Sequence, residues 1–138
     1  MKRWLVVMAV MMCLLLGAGT QGFAETALEK IQAAKMREAQ DDMKAGYLLA
    51  GEGRDAEAAK YFRAAVGLRP DWAEAHSLLG SALARAGNFA EAEAELRKAV
   101  ALKPDYAEGW NFLGEFLKDR GKDQEAQDAF RKAQQFAR

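Results

Sequence analysis

Residues 71–104 read DWAEAHSLLGSALARAGNFAEAEAELRKAVALKP, and the same skeleton returns on both sides of them. Residues 105–138 match this stretch at 12 of 34 positions, and residues 37–70 match it at 13. The recurring points are Gly46, Gly80 and Gly114; Gly53, Gly87 and Gly121; Ala58, Ala92 and Ala126; Ala65, Ala99 and Ala133; Pro70 and Pro104. A fixed period of this size marks a solenoid, whose units stack on their neighbours and present extended surfaces to other chains.

Inside the quoted stretch, Ala75, Leu79, Leu83 and Ala86 follow one another at helical spacing, and Ala92, Leu96, Ala99 and Val100 do so after Gly87. This spacing predicts two helices, each apolar on one face. Gly87 falls where a helix ends in a left-handed residue, a conformation that glycine adopts at least cost. Pro70 and Pro104 stop each second helix, since the residue before proline is pushed out of the helical region. The absence of bulk at Gly80 and Ala92 predicts a close approach of the two helices.

The offsets resemble the tetratricopeptide repeat, whose signature is a Trp, a Leu-Gly pair, an apolar residue, then Ala, an aromatic or Leu, Ala and Pro. The third copy carries Trp110, Leu113, Gly114, Leu117, Ala126, Phe130 and Ala133; the second His76, Leu79, Gly80, Leu83, Ala92, Leu96, Ala99 and Pro104. The first carries Asp42, Ala45, Gly46, Leu49, Ala58, Phe62, Ala65 and Pro70. The resemblance implies an all-α fold, an α-solenoid of three tandem helical hairpins wound as a right-handed superhelix, at about 39–72, 73–106 and 107–138. Residues 25–38 lack Gly and Pro and place Leu28, Ile31 and Ala34 at helical spacing, which predicts an N-terminal helical extension. Thr26 is its expected N-cap, with Glu29 in the capping-box position.

Residues 1–24 read as a secretory signal peptide: Lys2 and Arg3, an apolar run from Trp4 to Ala18, then Gly22-Phe23-Ala24 before a cut. The run of 15 residues is shorter than the ~20 that span a bilayer. The expected product is exported to the periplasm; an uncut segment anchored in the inner membrane is the alternative, and only then is membrane contact expected. Cys13 lies in the leader, so the mature chain has no thiol for disulfides or metal sites. Without Lys2 and Arg3, 18 basic side chains face 20 acidic ones, a net charge of −2 with no basic stripe to suggest nucleic acid.

No catalytic constellation can be assembled. His76 is the only histidine and stands where Trp110 stands in the next copy, which assigns it to the core. The glycines are spaced as hairpin turns, unlike a phosphate-cradling loop. No catalytic residue, cofactor or metal is therefore expected. Trp72 and Tyr106, which follow Pro70-Asp71 and Pro104-Asp105, read as wedges between repeats in preference to stacking platforms. Glu91, Glu93 and Glu95 read as a solvated helix face.

The resemblance further implies a concave groove lined by the first helix of each hairpin. Its expected residues are Gln40, Met43, Lys44, Tyr47 and Ala50; Glu74, Ser77, Leu78, Ser81 and Arg85; Glu108, Asn111, Phe112, Glu115 and Lys118. Met43, Tyr47, Leu78 and Phe112 are suited to grip apolar side chains, and Glu74, Glu108 and Glu115 favour a basic segment. The clamp with which some relatives hold a chaperone C-terminal carboxylate is not expected, because Met43, Tyr47 and Leu78 occupy its sites. The expected partner is a peptide segment of another envelope protein, bound by an adaptor without catalytic activity; a tethered or self-associating scaffold is the alternative. Gln134, Gln135, Asp128 and Asp123 replace Val100, Ala101, Ala94 and Phe89 of the preceding copy, so the last helix is expected to cap the array as a monomer.

Overall fold

The computed structural model describes the backbone of residues 2–137 and the side chains of residues 25–137, so the leader assigned to residues 1–24 lies outside the fully described part. Six helices and no strand occur among the described residues: α1 (Lys2–Gly51), α2 (Asp55–Leu68), α3 (Ala73–Arg85), α4 (Phe89–Leu102), α5 (Ala107–Asp119) and α6 (Asp123–Phe136). The chain divides into two units, Met1–Lys35 and Met36–Arg138. The second unit holds the three hairpins. In the first, helix α1 runs through Thr26, so that residue is not an N-cap. Residues 25–38 are exposed throughout, and no helix among the described residues is long and apolar enough to cross a membrane.

Each hairpin closes on a glycine with positive φ, 75° at Gly53, 89° at Gly87 and 72° at Gly121. The amide after it returns to the last turn: Arg54 N to Leu49 O at 2.9 Å, Asn88 N to Leu83 O and Lys122 N to Leu117 O at 2.8 Å. This is the Schellman closure, which satisfies carbonyls that the helix end leaves open. Helices α2 and α4 end at Leu68 and Leu102, two residues before Pro70 and Pro104.

Small residues set the distance within each hairpin. A methyl group on Gly80 would stand 2.7 Å from Leu96 Cγ and 3.0 Å from the Ala92 carbonyl oxygen; on Gly46 and Gly114 it would strike the rings of Phe62 and Phe130. The core threads from Ala39, Met43, Ala58 and Phe62 through Leu79, Leu83 and Leu96 to Leu113, Phe116 and Leu117. At the equivalent positions late in the trailing helices, Leu68 and Phe136 are half-buried, whereas Leu102 is 41% exposed. Gln134, Gln135, Asp128 and Asp123 are all exposed, as a polar outer face requires.

Candidate functional site

The leading helices α1, α3 and α5 present the residues expected in the groove, and burial divides them. Met43, 3% exposed, and Ser77, fully buried, belong to the core, which removes them from any surface a partner touches. Lys44, Tyr47, Glu108, Asn111 and Glu115 are exposed, while Glu74, Leu78, Ser81 and Phe112 are half-buried.

A polar line joins the hairpins along this side. The Tyr47 hydroxyl donates to Glu74 Oε1 at 2.8 Å, and its ring stands edge-on to Phe62 with centroids 5.8 Å apart. Burial, then the bond to Glu74 and that carboxylate's charge, hold the Tyr47 hydroxyl well above its ordinary range. Ser77 Oγ donates to the Glu74 carbonyl at 2.8 Å and lies 3.4 Å from the Tyr106 hydroxyl. Tyr106 is also pushed up, chiefly by burial, although the contact with Ser77 works against the shift. Glu74 is thereby engaged within the protein, whereas Glu108 and Glu115 face solvent.

Between the second and third hairpins lies a cleft of about 470 Å³, lined by Ser81, Ala84, Arg85, Phe89, Leu96, Phe112, Glu115, Phe116, Asp119 and Arg120. Four of these, Ser81, Arg85, Phe112 and Glu115, are groove residues read from the sequence. Phe89 and Arg120 are additions. The Arg120 guanidinium stacks 4.0 Å above the Phe89 ring, at the cleft's edge. The signal for Phe89 was the exchange at its repeat position, where the first and third copies carry Asp55 and Asp123. At the preceding junction Asp55 accepts from Arg85 Nε at 2.7 Å, so an ion pair takes the place of the exposed ring.

The acidic run on α4 is more than a solvated face. Glu91 pairs with Arg63 at 2.6 Å, and Glu93 accepts from Lys122 at 2.9 Å and from Arg97, which also reaches Glu125 at 2.6 Å. Hydrogen bonds from Lys122 and then Arg97 hold the Glu93 carboxyl below the ordinary range. Glu95 turns inward, its Oε2 lying 2.5 Å from Nδ1 of the buried His76. His76 is thus a core residue. Trp72 and Tyr106 are half-buried at the hairpin junctions, with the Arg69 guanidinium 4.5 Å above the Trp72 ring. No group of three or more metal-ligating side chains occurs among the described residues.

Sequence profiles of the Tetratricopeptide repeat match residues 49–115 and 107–138. Comparison with curated proteins gives no match. Among solved structures, the second such domain of Spaghetti (RPAP3), bound to the HSP90 peptide SRMEEVD, superposes with a TM-score of 0.71 at 20% identity, covering 78% of this chain and 98% of that one. The Arabidopsis OM64 domain gives 0.70 at 18% identity, with 74% and 84% covered. MamA gives 0.67 at 26% identity, with 78% and 63% covered.

Proposed function

The chain belongs to the tetratricopeptide-repeat family, and we propose that it is a non-catalytic module that holds a peptide segment of another envelope protein against α1, α3 and α5. The cleft between the second and third hairpins carries this reading. Its floor of Ala84, Leu96 and Phe112 suits an aliphatic or aromatic side chain, and its rim alternates Arg85 and Arg120 with Glu115 and Asp119. Such a site grips one apolar anchor and orients the flanking chain by charge. Glu108 and Glu115 extend the rim and favour a basic neighbour of that anchor. The bound peptide in the Spaghetti structures supports a protein ligand in general terms. Its acidic sequence is not the ligand expected here, because Met43 is buried and Tyr47 is committed to Glu74.

The leader reading of residues 1–24 assigns this activity to the periplasm, with the anchored scaffold as its alternative. A photo-crosslinking residue at Glu115, at the rim, tests the function. It is expected to trap one protein through one segment, and Phe112→Ala is expected to abolish the adduct. Equal trapping from Glu115 and from Lys98 on the far side would refute the groove.

A further inference from the structure

The two ends of the array are built differently. At the internal junctions the leading helix packs on the hairpin before it: Ala75, Leu79 and Ala82 on α3 are buried, as are Leu113 and Phe116 on α5, and Trp110 on α5, in the position of His76, lines a depression with Arg97 and Val100 of the preceding hairpin. Carried back by whole repeats, these sites on α1 are Asp41, Asp42, Ala45 and Leu48. At 3.6 residues per turn they form one stripe about 120° wide that includes Glu38. Ala39, Met43 and Gly46 point the other way, into the hairpin. Leu48 is 70% exposed, the most exposed large apolar residue described.

The trailing helix repeats the pattern. At both internal junctions an arginine reaches forward to a glutamate, Arg63 to Glu91 and Arg97 to Glu125, each at 2.6 Å. Glu57 holds the receiving position on α2 and is clasped instead by Arg54 of its own turn at 2.7 Å. On the stripe Lys44 pairs with Asp41 at 3.4 Å, and burial, then the charges of Glu38 and Asp41, push the neighbouring Asp42 carboxyl up. The first hairpin therefore presents the receiving half of a junction whose giving half is met twice within the molecule.

We propose that this stripe is a docking surface for an amphipathic helix of another protein, one carrying an arginine or lysine three residues before an aliphatic side chain. The template is internal. Arg63 and Val66 on α2, and Arg97 and Val100 on α4, have this spacing, and Arg97 and Val100 line one depression with Trp110 and Leu113. A second copy of the chain fits less well, because α6 keeps Arg131 but has Gln134 where Val66 and Val100 stand. The surface is separate from the groove, and neither reading depends on the other.

The test is titration of the purified, isotope-labelled protein with a synthetic peptide of residues 55–68, followed by amide chemical shifts. Saturable shifts at Asp41, Asp42, Ala45 and Leu48 are expected. Asp42→Lys or Leu48→Asp in the protein, or Arg63→Glu in the peptide, is expected to weaken them about tenfold or more, with an unchanged melting temperature. Shifts confined to Ser81 and Phe112, or none at millimolar peptide, would overturn the proposal. Concentration-dependent shifts on the stripe without peptide, together with a sedimenting dimer, would overturn it in favour of a second copy.

Discussion

His76 and Trp110, 34 positions apart, make the same bond: His76 Nε2 donates to the Pro70 carbonyl oxygen at 2.9 Å and Trp110 Nε1 to that of Pro104 at 2.8 Å. The smaller imidazole leaves Nδ1 and some volume over, and Glu95 fills both; the third copy has Ala129 at that site. The two hairpins solve one packing problem with different pairs.

The pairs are therefore expected to be exchangeable only together. His76→Trp alone overpacks the second hairpin, and Glu95→Ala alone leaves a buried nitrogen without its partner, at about 1–3 kcal/mol each. The double variant restores the third hairpin's arrangement, so a double-mutant cycle by chemical denaturation is expected to give about 1–2 kcal/mol of favourable coupling. Additive losses would show that Glu95 does not complete the His76 site.

Gly80→Ala is expected to destabilise by about 1–3 kcal/mol, because its methyl group meets the Ala92 carbonyl, which no rotamer change can move. Gly51→Ala, with open space around it and helical backbone, is expected to stabilise by up to about 1 kcal/mol. Thermal melts of the two variants should move in opposite directions.

The Glu93 carboxyl lies below its ordinary range in the folded chain, so the unfolded chain binds the proton more readily. Its stabilisation is present above the unfolded value, near pH 4, and is lost as the pH falls through the folded one. With the partners Arg97 and Lys122 half-exposed, the effect should stay below about 1 kcal/mol. Glu93→Gln should flatten the acid limb of the stability curve, and an unchanged limb would mean that the pair does not hold in solution.

The leader reading of residues 1–24 is tested by the intact mass of the mature product, which is expected to begin at Glu25. A membrane-fraction species retaining Met1 to Ala24 would favour the anchored scaffold.

The exposed Gln134, Gln135 and Asp128 predict a monomer by sedimentation at micromolar concentration. A stable dimer dissociated by Gln134→Glu would make the last helix an interface.

The period of 34, read from glycines, alanines and two prolines, determined the three hairpins, because each of those residues is required by local geometry: a left-handed turn, a close helix contact or a helix stop. Those constraints act within one repeat and repeat with it. What the tertiary structure decided acts between repeats. The family resemblance placed Met43 and Ser77 in the groove, but their burial depends on how α1 and α3 are rotated against their neighbours. Glu91, Glu93 and Glu95 read alike along the chain, and only the packing of α4 against α2, the turn before α6 and α3 gives them the three different partners Arg63, Lys122 and His76. Phe89 and Arg120 come together for the same reason, since a contact between side chains 31 residues apart exists only once two hairpins have packed.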